Sequence, residues 1–302
     1  MSERAALWLS AGAAFVLGLV GLTVALASGS GAILLDGAFN LCFFATALLT
    51  LRVATLVARP DDERYPFGYL FFEPLINTVK GLLILGVSAI ALFDAVVALG
   101  NGGRAVHLGP AVAYAAAATL ACTLVFLALR RAAPSPLVAA DVENWAVNAV
   151  ISGGVLAGFL LAVTLLRSSQ PRAAALVDPG MVALVVLVSL AVPVRMAVRG
   201  VGALLNRAPD PAVVASMEAA TRGALAPLPV DRLWVRAIQP GRVTYCTVHV
   251  LVSPGTPLAL AEADALRGRV ISALAARHAP VVADVVFTAT EAYAAPTSGY
   301  TS

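Results

Sequence analysis

The sequence predicts an α-helical membrane protein in which six transmembrane helices precede a small water-soluble α+β domain. First, 60% of the 302 residues are hydrophobic and only 12% are charged, and the mean hydropathy is +0.89. A soluble domain of this length needs far more surface charge, so the apolar residues must face lipid. Second, apolar runs long enough to cross a bilayer recur along the chain. Third, the composition changes abruptly after Arg207, where ordinary surface charge returns.

A spanning helix needs roughly 20 apolar residues, and such runs fall at about 5 to 28, 31 to 57, 76 to 100, 107 to 129, 138 to 166 and 178 to 200. The first run is long enough to span and lacks a small-residue cleavage site, so it is kept as a helix. Arg4, Arg52, Arg59, Arg64, Arg130, Arg131, Arg195, Arg199 and Arg207 lie on one side of the bundle, and only Arg104, Arg167 and Arg172 on the other. The positive-inside rule then places both termini in the cytoplasm. The expected location is the bacterial inner membrane. A net charge of +3 from scattered arginines gives no support for nucleic-acid binding. Cys42, Cys122 and Cys246 are far apart and read as small apolar residues, not as a disulfide framework or a zinc knuckle.

Asn206 to Pro211 reads as a linker, which divides the chain into a transmembrane domain, 1–208, and a soluble domain, 209–302, ending in a disordered tail. Helical spacing covers 211 to 226 and 258 to 277. Strand patterns cover 231 to 239, 243 to 252 and 281 to 288, with Pro240-Gly241 as the first turn. The order αββαβ suggests a two-layer domain of the ferredoxin-like kind.

Polar residues at membrane depth carry the functional information, because each costs free energy unless it faces a partner or a water-filled path. Asp36 and Asn40 in the second span are four apart and share a helix face. Asn144 and Asn148 in the fifth repeat that spacing, with Asp141 about one turn before and Ser152 one turn beyond. Facing each other, the pairs would make a four-ligand oxygen cage. The plainer alternative is that the asparagines only bond helix to helix, against which an ionisable Asp36 inside an apolar run argues for function.

The chain resembles the cation diffusion facilitator family of metal exporters. The resemblance rests on Asp36-Gly-Ala-Phe-Asn40, on Arg64-Tyr-Pro-Phe-Gly-Tyr69 with Glu73-Pro74, on Ala140 to Ser152, and on Asp178-Pro179. It implies six spans, a cytoplasmic ferredoxin-like domain, a homodimer, and proton-driven export of a divalent cation bound by Asp36, Asn40, Asn144 and Asn148. Relatives that carry zinc have more carboxylates and a histidine in this set. Here one carboxylate and three asparagines remain, an all-oxygen set that suits a manganese- or iron-like hard ion better than zinc. Tyr65 and Tyr69 stand where relatives hold a second metal between histidines, and His249 and Asp264 correspond roughly to a bridging site in the soluble domain, where a binuclear zinc site is not expected.

Lys80, the chain's only lysine, either snorkels to the inner interface or joins Glu73 and Asn77 on one helix face as a charge latch. Asp141, Ser152, Glu73, Lys80 and Asp178 are accessory candidates. No cofactor is expected, the cation being substrate, and the further partners are protons and the lipid bilayer. The chain is not expected to be an enzyme, because no nucleophile with a base and no phosphate-binding loop appears. The alternative function is a membrane scaffold or regulatory dimer partner that has lost most metal ligands.

Overall fold

The computed structural model describes residues 2–57, 59–66, 68–131, 136–241, 243–278 and 280–294. Phe67 of the loop motif and the tail expected to be disordered, 295–302, lie outside the described residues. Two compact units are present, one made of 1–53 with 76–198, the other of 54–75 with 199–302.

Among the described residues, six helical segments are long and apolar enough to cross a membrane. They are α1 (Glu3–Ser28), α2 (Gly31–Val57), α3 (Phe72–Gly100), α4 (Leu108–Leu129), α5 (Pro136–Arg167), and a sixth segment, Pro171–Leu204, formed by α6 (Pro171–Ser189) and α7 (Ala191–Leu204). Two starts differ from the sequence expectation. The third helix begins at Phe72, because Glu73 in its first turn suits the positive end of the helix dipole although it lowers hydropathy. The sixth begins at Pro171, where a proline at the first helical position needs no hydrogen-bond acceptor.

Two prolines shape the sixth segment. Pro193 has no N–H to give the Ser189 carbonyl, and the Ser189 hydroxyl bonds back to Val185 O at 2.7 Å, so the helix breaks at Leu190. Pro179 likewise frees the carbonyl of Ala175, which accepts the backbone N–H of Arg104 at 2.8 Å instead. Gly103 makes this docking possible: its φ is +104°, and a Cβ there would lie 2.5 Å from the Ala175 carbonyl.

The second unit contains α8 (Pro211–Leu225), β1 (Val230–Ile238), β2 (Thr244–Val252), α9 (Leu260–His278) and β3 (Val281–Thr288). The expected αββαβ order is observed. Asp210 caps α8 by accepting Ala212 N at 2.8 Å. The sheet order is β1-β2-β3, with β1 antiparallel and β3 parallel to β2. Strand alternation puts Leu233, Val235, Cys246, Val248, Val250 and Val285 on one face, where they pack with Met217, Leu266, Val270 and Leu274 of the helices. His278 Nε2 lies 3.2 Å from Ser216 Oγ and so ties the end of α9 to α8. After β3 a short 3-10 turn, Glu291–Tyr293, meets β1: Arg232 pairs with Glu291 at 2.7 Å and Arg236 donates to Ala294 O at 2.8 Å.

Candidate metal centre

Asp36 stands about one and a half turns into α2, half-buried, beside Asn40 on the same face. Asn40 Nδ2 donates to the Asp36 backbone carbonyl at 2.9 Å and lies 3.4 Å from Asp36 Oδ1. Its Oδ1 is buried and has no partner among the described residues. Buried amide oxygens nearly always find a donor. One left open beside a carboxylate fits the edge of a coordination sphere.

The third member of the group is Tyr114 of α4. Its hydroxyl donates to Asp36 Oδ2 at 2.6 Å and lies 3.3 Å from the Leu17 carbonyl of α1. Space for it comes from α1. A Cβ on Gly21 would lie 2.6 Å from the Tyr114 hydroxyl and 2.9 Å from Gly37 Cα, and a Cβ on Gly37 would lie 2.9 Å from Leu22 N. The α1 and α2 backbones therefore touch next to Asp36, a close approach that small residues allow in membrane bundles.

The fifth helix is placed differently from the expected cage. Asn144 is exposed and Asn148 half-buried, and among the described residues neither hydrogen-bonds to Asp36 or Asn40. Trp145 is instead fully buried, its Nε1 donating to Ser10 Oγ of α1 at 2.9 Å and its ring edge-on to Phe43, with centroids 6.5 Å apart. Burial of the indole fixes the rotation of α5 here, because it carries far more apolar surface than an asparagine. Ser152 is buried with its hydroxyl 3.9 Å from Cys122 Sγ, and Cys122 lies within electrostatic reach of Asp36.

The accessory candidates separate into three places. Lys80 Nζ donates to Thr50 Oγ1 of α2 at 2.5 Å and lies within electrostatic reach of the half-buried Asp141. Glu73 belongs to the second unit, where a Cβ on Gly241 would lie 2.5 Å from its Oε2. Asp178 is buried at the first turn of α2 and accepts from the Ser30 hydroxyl at 2.5 Å, Gly31 N at 3.0 Å and Ala32 N at 3.1 Å. Arg104 bridges Asp178, at 3.3 Å, and the exposed Asp94.

The loop between α2 and α3 is organised by Asp62, which accepts from Arg64 N at 3.0 Å, Tyr65 N at 2.8 Å and the Tyr69 hydroxyl at 2.7 Å. The Tyr69 hydroxyl, followed by the Tyr65 N–H, holds the Asp62 carboxyl below the usual carboxylate range. Tyr65, Tyr69 and Phe72 stack with centroid distances of 4.7 to 5.7 Å. In the second unit, His249 and Asp264 are not brought together. His249 points from β2 to the sheet face opposite the helices, while Asp264 on α9 pairs with Arg267 at 2.5 Å.

The side-chain groups gathered at Asp36 are its own carboxylate, one phenol and one amide oxygen, a set whose chemistry suits hard ions. Among the described residues no three His, Cys, Asp or Glu side chains gather into a metal-sized cluster. Tyr114 escaped the sequence reading, although a phenol between apolar neighbours in the alanine-rich fourth span was a usable signal. The family model for the cation efflux transmembrane domain matches residues 7–205. No curated protein matches the chain.

Proposed function

Because the chain belongs to the cation efflux family, and so is a membrane transporter of metal cations, we propose that it exports a divalent ion from the cytoplasm in exchange for protons. The observation that carries this reading is the Asp36–Asn40 pair, with a buried amide oxygen unpartnered among the described residues beside a lone carboxylate. Asn144 and Asn148 complete the donor set when α5 turns toward α2. Cation and proton compete for the Asp36 oxygens, and helices rock around the site to open it to either side. Among Asp36, Asn40, Asn144 and Asn148 only Asp36 ionises, so this site couples at most one proton to each cation. A loaded divalent ion leaves net positive charge at the site, and Asp141 offsets it from the inner mouth. Oxygen donors favour a manganese- or iron-like ion over zinc.

In this reading the termini are cytoplasmic, the membrane is the bacterial inner membrane, and two copies work as a homodimer. Residues 1–208 form the transmembrane domain, and 209–302 a soluble domain that sets the spacing of the two halves without choosing the ion. The scaffold reading is supported by the exposure of Asn144 and by the small number of ionisable ligands among the described residues.

Uptake into sealed vesicles holding the purified protein separates the two. Flux of manganese or iron that follows an imposed pH gradient and vanishes in Asp36→Ala is the expected result. No flux for any first-row or alkaline-earth ion would establish the scaffold, and exchange of one divalent ion for two protons would overturn the single-carboxylate account.

A further inference from the structure

We infer that Tyr114 is a positioning residue that sets ion selectivity by holding Asp36 to one-oxygen coordination. The inference rests on the Asp36–Asn40 site proposed above. Asp36 Oδ2 receives the Tyr114 hydroxyl at 2.6 Å, whereas Oδ1 has only the 3.4 Å approach of Asn40 Nδ2. One oxygen is committed and the other is available. The Asn40 amide nitrogen is itself committed to the Asp36 carbonyl at 2.9 Å, which leaves Asn40 Oδ1 as the buried open acceptor next to Asp36 Oδ1.

Tyr114 cannot easily give way. It is buried, its hydroxyl lies 3.3 Å from the Leu17 carbonyl, and Gly21 closes over it so tightly that a Cβ there would come within 2.6 Å of the oxygen. The phenol is thus a fixed donor, and the carboxylate orients to it. An ion entering between Asp36 Oδ1 and Asn40 Oδ1 meets a carboxylate that offers one oxygen. Small divalent ions accept that geometry, because they need about six ligands at short, near-octahedral positions. Large ions take six to eight ligands and gain from a carboxylate binding through both oxygens. Tyr114 withholds the second oxygen and so disfavours the larger ion.

The test is equilibrium binding by calorimetry of magnesium, manganese and calcium ions to the purified full-length protein and to Tyr114→Phe. The Phe variant keeps the ring and loses only the donor. Its ratio of calcium to magnesium affinity is expected to rise by about tenfold, the lower end of what a hydrogen bond to a charged group is worth. An unchanged ratio overturns the inference, and so does wild-type protein that binds none of the three ions. The readout is binding, so a protein that binds ions without carrying them would sink the transport reading alone.

Infrared difference spectra, ion-bound minus ion-free, give a second measure once the Asp36→Asn spectrum is subtracted. Wild type should display the wide separation of carboxylate stretches that marks one-oxygen coordination, and Tyr114→Phe with calcium the narrow one. A narrow separation in wild type overturns the inference even if Tyr114→Phe fails to fold.

Discussion

The Ser30 hydroxyl donates to Asp178 Oδ1 at 2.5 Å, so the first turn of α2 is capped by a side chain from α6. Asp178 also takes the N–H groups of Gly31 and Ala32, and its negative charge sits at the positive end of the helix that carries Asp36. Asp178→Ala is expected to lower the melting temperature in detergent, costing about 2 kcal/mol for a lost cap and stranded buried donors. Asp178→Asn keeps one acceptor oxygen and should recover part of that loss. Equal losses in the two variants would count against the capping account.

The contact between Gly21 and Gly37 makes a second prediction. Gly37→Ala places a methyl group 2.9 Å from Leu22 N, and the helices must part, at a cost of about 1–3 kcal/mol. Gly12→Ala, on the α1 helix that Gly37 meets, is the control, since nothing lies within 4 Å of its added Cβ. It should melt at or slightly above wild type, alanine being the better helix former.

Asn40 is expected to trade stability for binding. Its Oδ1 is buried without a partner among the described residues, a cost of about 1–3 kcal/mol that an apolar replacement removes. Asn40→Leu should therefore melt no lower than wild type and should lack the upward shift expected of wild type on adding manganese. A variant that is destabilised yet still shifted by manganese would contradict this.

His249 supplies a pH dependence. Burial, and after it the Arg236 charge, hold the imidazole below its ordinary value of 6.5. The unfolded chain then binds the proton more readily than the folded one. This contribution to stability is fully present above 6.5 and is lost as pH falls from there toward the folded value. Melting curves between about pH 7.5 and about pH 5 should fall more steeply for wild type than for His249→Phe. Parallel slopes would remove His249 from the account.

What the sequence made legible follows the range of the interactions. The Asp36–Asn40 pair is four residues apart on one helix, and spacing alone finds it. Tyr114 meets Asp36 across 78 residues and Asp178 meets Gly31 across 147, and no local pattern carries either meeting. The soluble strands were legible because one buried face produces strict alternation, as Leu233, Val235 and Ala237 illustrate. The rotation of α5 was not. Asn144, Trp145 and Asn148 each had a claim to face inward, and the one that gains most from burial took the place.

The middle position of β2 sets a clock on synthesis. Its pairing with β1 needs only the turn at Pro240-Gly241, so that hairpin closes as soon as Val252 has emerged. Its pairing with β3 is parallel and waits for the whole α9 crossover, up to Val281 and beyond. At translation speeds of about 5–20 residues per second, the β3-facing edge of β2 stays open for a few seconds on every nascent chain. An open edge rich in valine is a template for another chain's strand. Neighbouring ribosomes on one message hold such edges close together, and slower translation lengthens the interval in which they can mispair.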